Sequence, residues 1–148
     1  MFNPELEVPS RELCKRLKNL GYPQESNGGW YWVLYKQPTY KRWVIGFKNN
    51  KFNPKEWLIF CDDVWLTMNT VIEYVKAPSC RELLEVKEKG IIIDIWYDSS
   101  IQRFNVKCLV EKENFNFPPC QLEFGEKLPD LLAKIRIWLA ENGYVEFK

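Results

Sequence analysis

Apolar residues recur along this chain with two different periods, and the changes of period divide it into elements. In "SRELCKRLKNL", residues 10–20, Leu13, Leu17 and Leu20 stand at i, i+4 and i+7. That is one stripe of a helix, with Arg11, Lys15, Arg16 and Lys18 on the opposite face and Gly21 as its stop. The same spacing returns at Leu128, Leu131, Leu132, Ile135 and Leu139, with Pro129 in the first turn and Gly143 past the end. Between these helices the pattern is that of strands. "GWYWVLYK" (29–36) and "KRWVIGFK" (41–48) are aromatic and β-branched and read as a hairpin across "QPTY". "EWLIFC" (56–61) is apolar on both faces, which predicts a covered strand. Ile91, Ile93 and Ile95 alternate with Ile92, Asp94 and Trp96, and Phe104, Val106, Cys108 and Val110 alternate with Arg103, Asn105 and Lys107. This second hairpin has one core face and places Asp94 against Arg103 or Lys107 on the other.

Two segments are less regular. Over residues 64–76, Trp65, Met68, Ile72 and Val75 suit a helix whereas "TVIEYV" suits a strand, so a helical start and an extended end are expected. Residues 113–127, "ENFNFPPCQLEFGEK", read as a proline-containing loop or an edge segment. The echo of "PSREL" (9–13) in "PSCREL" (78–83) marks two helix starts. Ser79 and Glu82 have the spacing of a capping box; three residues after Ser10 comes Leu13, so Ser10 is expected to cap alone. The predicted order is α, β, β, β, the mixed segment, α, β, β, α. It gives a single α+β domain over residues 1–148, with a mainly antiparallel sheet built from hairpins, helices near both termini and one in the middle.

Composition narrows the chemistry. A chain of 148 residues suits one domain, and no apolar run approaches the ~18 residues of a membrane span. The N-terminus shows no basic segment followed by an apolar one, so a cytoplasmic protein without membrane association is expected. Histidine is absent, which excludes Ser-His-Asp and Cys-His arrangements. Cys14, Cys61, Cys80, Cys108 and Cys120 are odd in number and form no C-x-x-C pair, so neither a disulfide framework nor a zinc site is expected. Cys61 and Cys108 fall in apolar runs and read as core, Cys120 as exposed. Asp62 and Asp63 could serve as acid and base or bind magnesium, but neighbours in an extended chain point to opposite faces. A helix N-cap is the expected role for this pair. "DSS" (98–100) and Gly28-Gly29 read as turns. No catalytic residue, cofactor or metal ligand emerges, and the chain is not expected to be an enzyme.

Charge adds one lead. Residues 1–55 hold 10 Lys and Arg against 4 Asp and Glu, and residues 56–148 hold 11 against 16. Within 26–55 there are six basic residues and no acidic one, interleaved with aromatics. Alternation in the first hairpin assigns Trp43, Ile45 and Phe47 to a core face and Arg42, Val44 and Lys48 to the other. With Tyr31 and Tyr35 turned outward, that face becomes a candidate ligand-binding set of Tyr31, Tyr35, Lys41, Arg42 and Lys48, able to stack bases and neutralise phosphates. The competing reading is a sheet whose lysines protect an edge strand. Seven tryptophans likewise allow either a Trp-rich core or an interface using Trp30, Trp57 or Trp138.

Three stretches resemble a group of small phage- and prophage-type proteins of unknown function. "SRELCKRLKNLGYPQESNGGWYWV" is similar to their opening, in which an S-x-E-L-x-K-x-L-K-x-L-G helix precedes a Q-E-S element and a Y-W-V strand. Ser10 to Gly21, Gln24 to Ser26 and Tyr31 to Val33 carry that likeness. "YVKAPSCRELLEV" and "LLAKIRIWLAENGYV" resemble their middle and closing segments. About a third of the chain is covered and no catalytic residue is implied. The resemblance implies a small protein of a mobile element in a bacterial cytoplasm. The leading expectation is therefore a non-enzymatic binding protein with a protein partner. The alternative is a nucleotide- or nucleic-acid-binding protein that takes its anionic ligand on the basic-aromatic hairpin.

Overall fold

A computed structural model of the chain describes residues 3–25, 29–48, 57–68, 71–111 and 116–147. The first sheet holds β1 (Gly29–Lys36), β2 (Lys41–Lys48), β3 (Trp57–Cys61), β4 (Val64–Met68) and β5 (Val71–Lys76), in the spatial order β4-β3-β2-β1-β5. The second holds β6 (Ile91–Asp98), β7 (Arg103–Val110) and β8 (Cys120–Gly125) in sequence order. All pairings are antiparallel. Helices α1 (Arg11–Asn19), α2 (Cys80–Leu84) and α3 (Leu128–Glu141) complete a sheet-dominated α+β fold.

Covalent geometry makes the first sheet curl. β4 and β5 are its opposite edges, yet Met68 and Val71 are only three residues apart and their Cα atoms can be at most about 11 Å apart. In a flat five-stranded sheet the two edges would lie about 19 Å apart. The side chains record the coiling. Trp57 on β3 and Tyr74 on β5 are three strands apart in order, but their ring centroids are 5.3 Å apart. Tyr31 meets Trp57 edge-on at 5.2 Å, and the Tyr35 hydroxyl reaches Cys61 Sγ across β2 at 3.4 Å. The concave face thus fills itself with Tyr31, Val33, Tyr35, Val44, Trp57, Ile59 and Cys61, with no helix over it among the described residues. Gly46 on β2 is squeezed between Val33 and Trp57, where a Cβ would stand 3.1 Å from the valine methyls.

The convex face is closed by the N-terminal segment. Val8 and Cys14 pack with Ile45, Val75 and Ala77, flanked by Trp30, Trp32 and Trp43. Trp32 Nε1 donates to the Pro9 carbonyl at 3.0 Å, and Arg11 and Lys15 lie 5.1 and 5.0 Å from the Trp43 ring centre. Both faces of the first hairpin are therefore core. The opposite stripe of α1, Leu13 and Leu17, joins α3 and the inner face of the second sheet: Val106, Cys108 and Val110 against Leu131, Leu132, Ile135 and Leu139. One nine-residue helix serves two cores. Both long helices end in the Schellman pattern that their glycines foretold. Tyr22 N donates to Leu17 O at 2.9 Å and Gly21 N to Lys18 O at 3.0 Å; Tyr144 N and Gly143 N do the same to Leu139 O and Ala140 O.

Several expectations need correction. The described residues of 64–76 contain no helix: Val64–Met68 and Val71–Lys76 form β4 and β5, because pairing with β3 and β1 satisfies their backbone, and residues 69 and 70 lie outside the described residues. Asp62 and Asp63 cap nothing. With φ of 51° and 64°, they are the two central residues of a hairpin turn between the paired Cys61 and Val64, a left-handed conformation that Asp tolerates. Ser10 makes no side-chain cap; its amide instead donates to Asp130 Oδ1 at 2.7 Å. The box at Ser79 and Glu82 is formed in both directions, at 3.3 and 3.2 Å. Of 113–127, residues 113–115 lie outside the described residues, and Cys120–Gly125 is the edge strand β8. Gly28 also lies outside them, while Gly29 opens β1.

Gly90, with φ of +83°, enters β6 so close to β7 that a Cβ would collide with the Glu111 carbonyl oxygen; Gly143 has φ of +74° and open space around it. Gly143→Ala is expected to cost about 1 kcal/mol, from backbone strain alone. Gly90→Ala should cost at least about 2 kcal/mol more, because backbone must also shift. Urea unfolding of the two variants measures the difference. Equal losses would contradict the close approach.

Candidate functional site

The five residues suggested by sequence divide into two groups. Tyr31 and Tyr35 share a face with Arg42, Val44 and Lys48, as alternation requires, but that face is the concave one. Both tyrosines are only 2% exposed and cannot offer rings to a base, which corrects the expectation that they turn outward. The Tyr31 hydroxyl donates to the Gln24 carbonyl at 3.0 Å. The Tyr35 phenol is held above its ordinary pKa by its hydrogen bond to Cys61 and by burial. Arg42 stands at the open end of the curl. Its Nη1 lies 3.3 Å from Asp62 Oδ1 and 3.4 Å from Cys61 Sγ, so it pins the β3–β4 turn to β2. Lys48 lies over the Trp57 and Tyr74 rings at 5.2 and 5.9 Å. Lys41 is exposed and opposes Lys36 in the register of β1 and β2. Trp57 is buried, and Trp30 and Trp138 are partly buried against the cores.

A cleft of about 410 Å³ opens where β5, α2 and α3 meet, with Tyr22, Lys76, Glu82, Arg136 and Phe147 in its wall. Its two most buried cations bear on local structure. Lys76 is 1% exposed and lies 3.3 Å from Glu82 Oε2 and 5.0 Å from the Tyr31 ring centre. Since Glu82 is also the acid of the α2 capping box, this contact ties the end of the curled sheet to α2. Arg136 donates through Nη1 to the carbonyls of Leu83 and Glu85, each at 3.2 Å, and so closes the C-terminal end of α2. Its Nε has no hydrogen-bond partner among the described residues. Burial lowers the Arg136 pKa and pushes the Tyr22 phenol up to about 12, so neither changes charge near neutrality. Among the described residues, no group of three or more Cys, Asp or Glu is placed to hold a metal ion.

The least explained surface is the outer face of β6, β7 and β8. Residues of β7 alternate, with Val106, Cys108 and Val110 inward and Asn105, Lys107 and Leu109 outward. The register then fixes the outward rows: Ile92, Leu109 and Cys120; Asp94, Lys107 and Leu122; Trp96, Asn105 and Phe124. Edge strand β8 is inverted with respect to an ordinary two-faced strand. It turns Gln121 and Glu123, hydrogen-bonded to each other at 3.0 Å, toward the helix side and presents Cys120, Leu122 and Phe124 to solvent. Ile92, Trp96, Leu122 and Phe124 are 40, 47, 54 and 61% exposed. Among the described residues no helix packs on this face, because α1, α2 and α3 all lie on the other. Large apolar residues gathered on one sheet face, here divided by Asp94, Lys107 and Asn105, have the composition of a contact surface rather than of scattered exposure. The signal was present in sequence as the strict alternation of "CQLEFG", hidden by the prolines before it.

Comparisons of the chain with protein-family models, curated proteins and solved structures find no match.

The Lys76–Glu82 contact gives a direct test of the joint between the two sheets. Lys76→Ala leaves Glu82 without this cation and opens a cavity, and is expected to cost about 2 kcal/mol, below the full cost of breaking a buried pair because Glu82 is a third exposed. Lys76→Met, which keeps the stem packed on Tyr31, should cost about half as much. Urea midpoints of the two variants decide. A loss below ~0.5 kcal/mol for Lys76→Ala would remove the contact from the joint.

Proposed function

We infer that the protein is a non-enzymatic binding protein that engages another protein through the outer face of β6, β7 and β8. The observation that carries this reading is the inversion of β8. An edge strand exposed to water on one face ordinarily turns polar residues to it, yet here Leu122 and Phe124 face solvent while Gln121 and Glu123 face the helices. Across the sheet, Trp96 extends the same surface, and large aromatic residues are the usual anchors of protein interfaces. The phage and mobile-element context, in a bacterial cytoplasm, rests on the resemblance of the segments around Ser10, Ala77 and Leu131. The basic-aromatic hairpin supports nucleic-acid binding less well, since both of its proposed stacking tyrosines lie inside the curled sheet.

An apolar fluorescent probe such as bis-ANS tests the face in the folded protein. Wild type should enhance the probe's emission, and Phe124→Lys should lose most of the signal with an unchanged far-UV spectrum. Lys41→Glu, on the first hairpin, should leave it intact. A single-stranded oligonucleotide should show no binding at about 50 mM salt, where phosphate contacts are still strong. Absence of probe binding together with tight oligonucleotide binding would reverse the assignment.

A further inference from the structure

We propose that the partner on this face is a second copy of the same chain, packed sheet against sheet about a two-fold axis that runs along β7. The inference rests on the assignment of the outer face as a protein-binding surface and adds its occupant. Two observations favour the chain itself. The first is charge. On the outward side of β6 and β7 the charged side chains stand opposite one another by sign, Asp94 with Lys107 and Asp98 with Arg103. A two-fold axis along β7 brings two aspartates and two lysines together in one central strip that nets to zero. Each Lys107 then faces its counterpart across the axis and lies between its own Asp94 and the partner's Asp94. The chain as a whole carries a formal charge of +1, so two copies do not repel one another. A strongly acidic or basic partner would find no complement on such a face.

The second observation is the fit of the rows to themselves. The same axis lays β6 over the partner's β8. Trp96 then meets the partner's Phe124 and Ile92 the partner's Cys120, so the two aromatic anchors cover each other, while Leu122 comes over the partner's Asp94 and Asn105 lies near the axis. Three strands of six to eight residues give a footprint of roughly 15 by 25 Å. That plane is about half of the ~800 Å² that each partner contributes to a standard interface, which places the contact among the small, reversible ones. Two twisted antiparallel sheets packed face to face at about 10 Å are an ordinary arrangement, and an isologous contact of this kind closes on itself without propagating. The polar strip at its centre fixes the register.

Sedimentation equilibrium on the full chain, over roughly 1 to 200 µM, tests the proposal. Wild type is expected to pass from monomer to dimer across that range. Lys107→Glu, which gathers four negative charges in the central strip, should weaken the dimer at least tenfold. The double exchange Asp94→Lys with Lys107→Glu should restore it to within about threefold, because the strip is then neutral again. Phe124→Lys should abolish it. Urea unfolding of each variant separates a weakened fold from a weakened contact. A wild-type monomer at the highest concentration overturns self-pairing. If that monomer still binds the apolar probe, the face serves a different protein; if it does not, the protein-binding reading falls as well. A dimer insensitive to both Lys107→Glu and Phe124→Lys places the contact elsewhere and also overturns the proposal.

Discussion

The architecture depends on the short passage from β4 to β5. Two residues separate strands that occupy opposite edges of one sheet, and no flat arrangement can satisfy that connection. The sheet therefore coils until its concave face meets itself. Tyrosines and tryptophans at Tyr31, Tyr35, Trp57 and Tyr74 are what such a small interior can use, because large flat rings bridge strands that are not neighbours. A core made from one sheet leaves the helices free for other work.

That division explains the rest. α1 covers the convex face of the curl with Cys14 and, with Leu13 and Leu17, reaches the second core. The joint is reinforced by Asp130 accepting from the Ser10 amide, Arg16 pairing with Glu141 at 2.7 Å, and Lys76 beside Glu82. All three helices are committed to the inner side of β6–β8, so none of the described helices covers the outer side of that sheet. The cleft beside α2 belongs to the same joint, since its buried lysine and arginine are held by α2 itself.

Much of this was legible in sequence because much of it is local. Leucine spacing and terminal glycines located α1 and α3, and two-residue alternation located β1, β2, β6 and β7, because those patterns depend on neighbours along the chain. The capping box at Ser79 and Glu82 was equally readable. The failures share one cause. Residues 64–76 satisfy both helical and strand periods with the same aromatic and β-branched side chains, and only pairing with β3 and β1 decides between them. Asp62 and Asp63 read as a cap until the strand after them is known. Tyr31 and Tyr35 read as surface residues because a phenol suits either side of a sheet; closure of the curl is a long-range fact that their own positions do not encode. The edge segment was legible as one of two readings of 113–127, but the prolines at Pro118 and Pro119 kept a loop equally open, and the outward turn of Leu122 and Phe124 follows only from pairing with β7.

The central claim is that this protein makes its contacts through the uncovered face of β6–β8 and not through the basic hairpin. The most direct measurement is a residue-by-residue map of amide and tryptophan side-chain NMR signals as the protein concentration is raised. The account predicts that the signals that move cluster at Ile92, Asp94, Trp96, Lys107, Leu122 and Phe124, while those of Lys41, Arg42 and Lys48 stay still. Movement confined to the hairpin would contradict it, and spectra that do not change with concentration would contradict the pairing of two copies on that face.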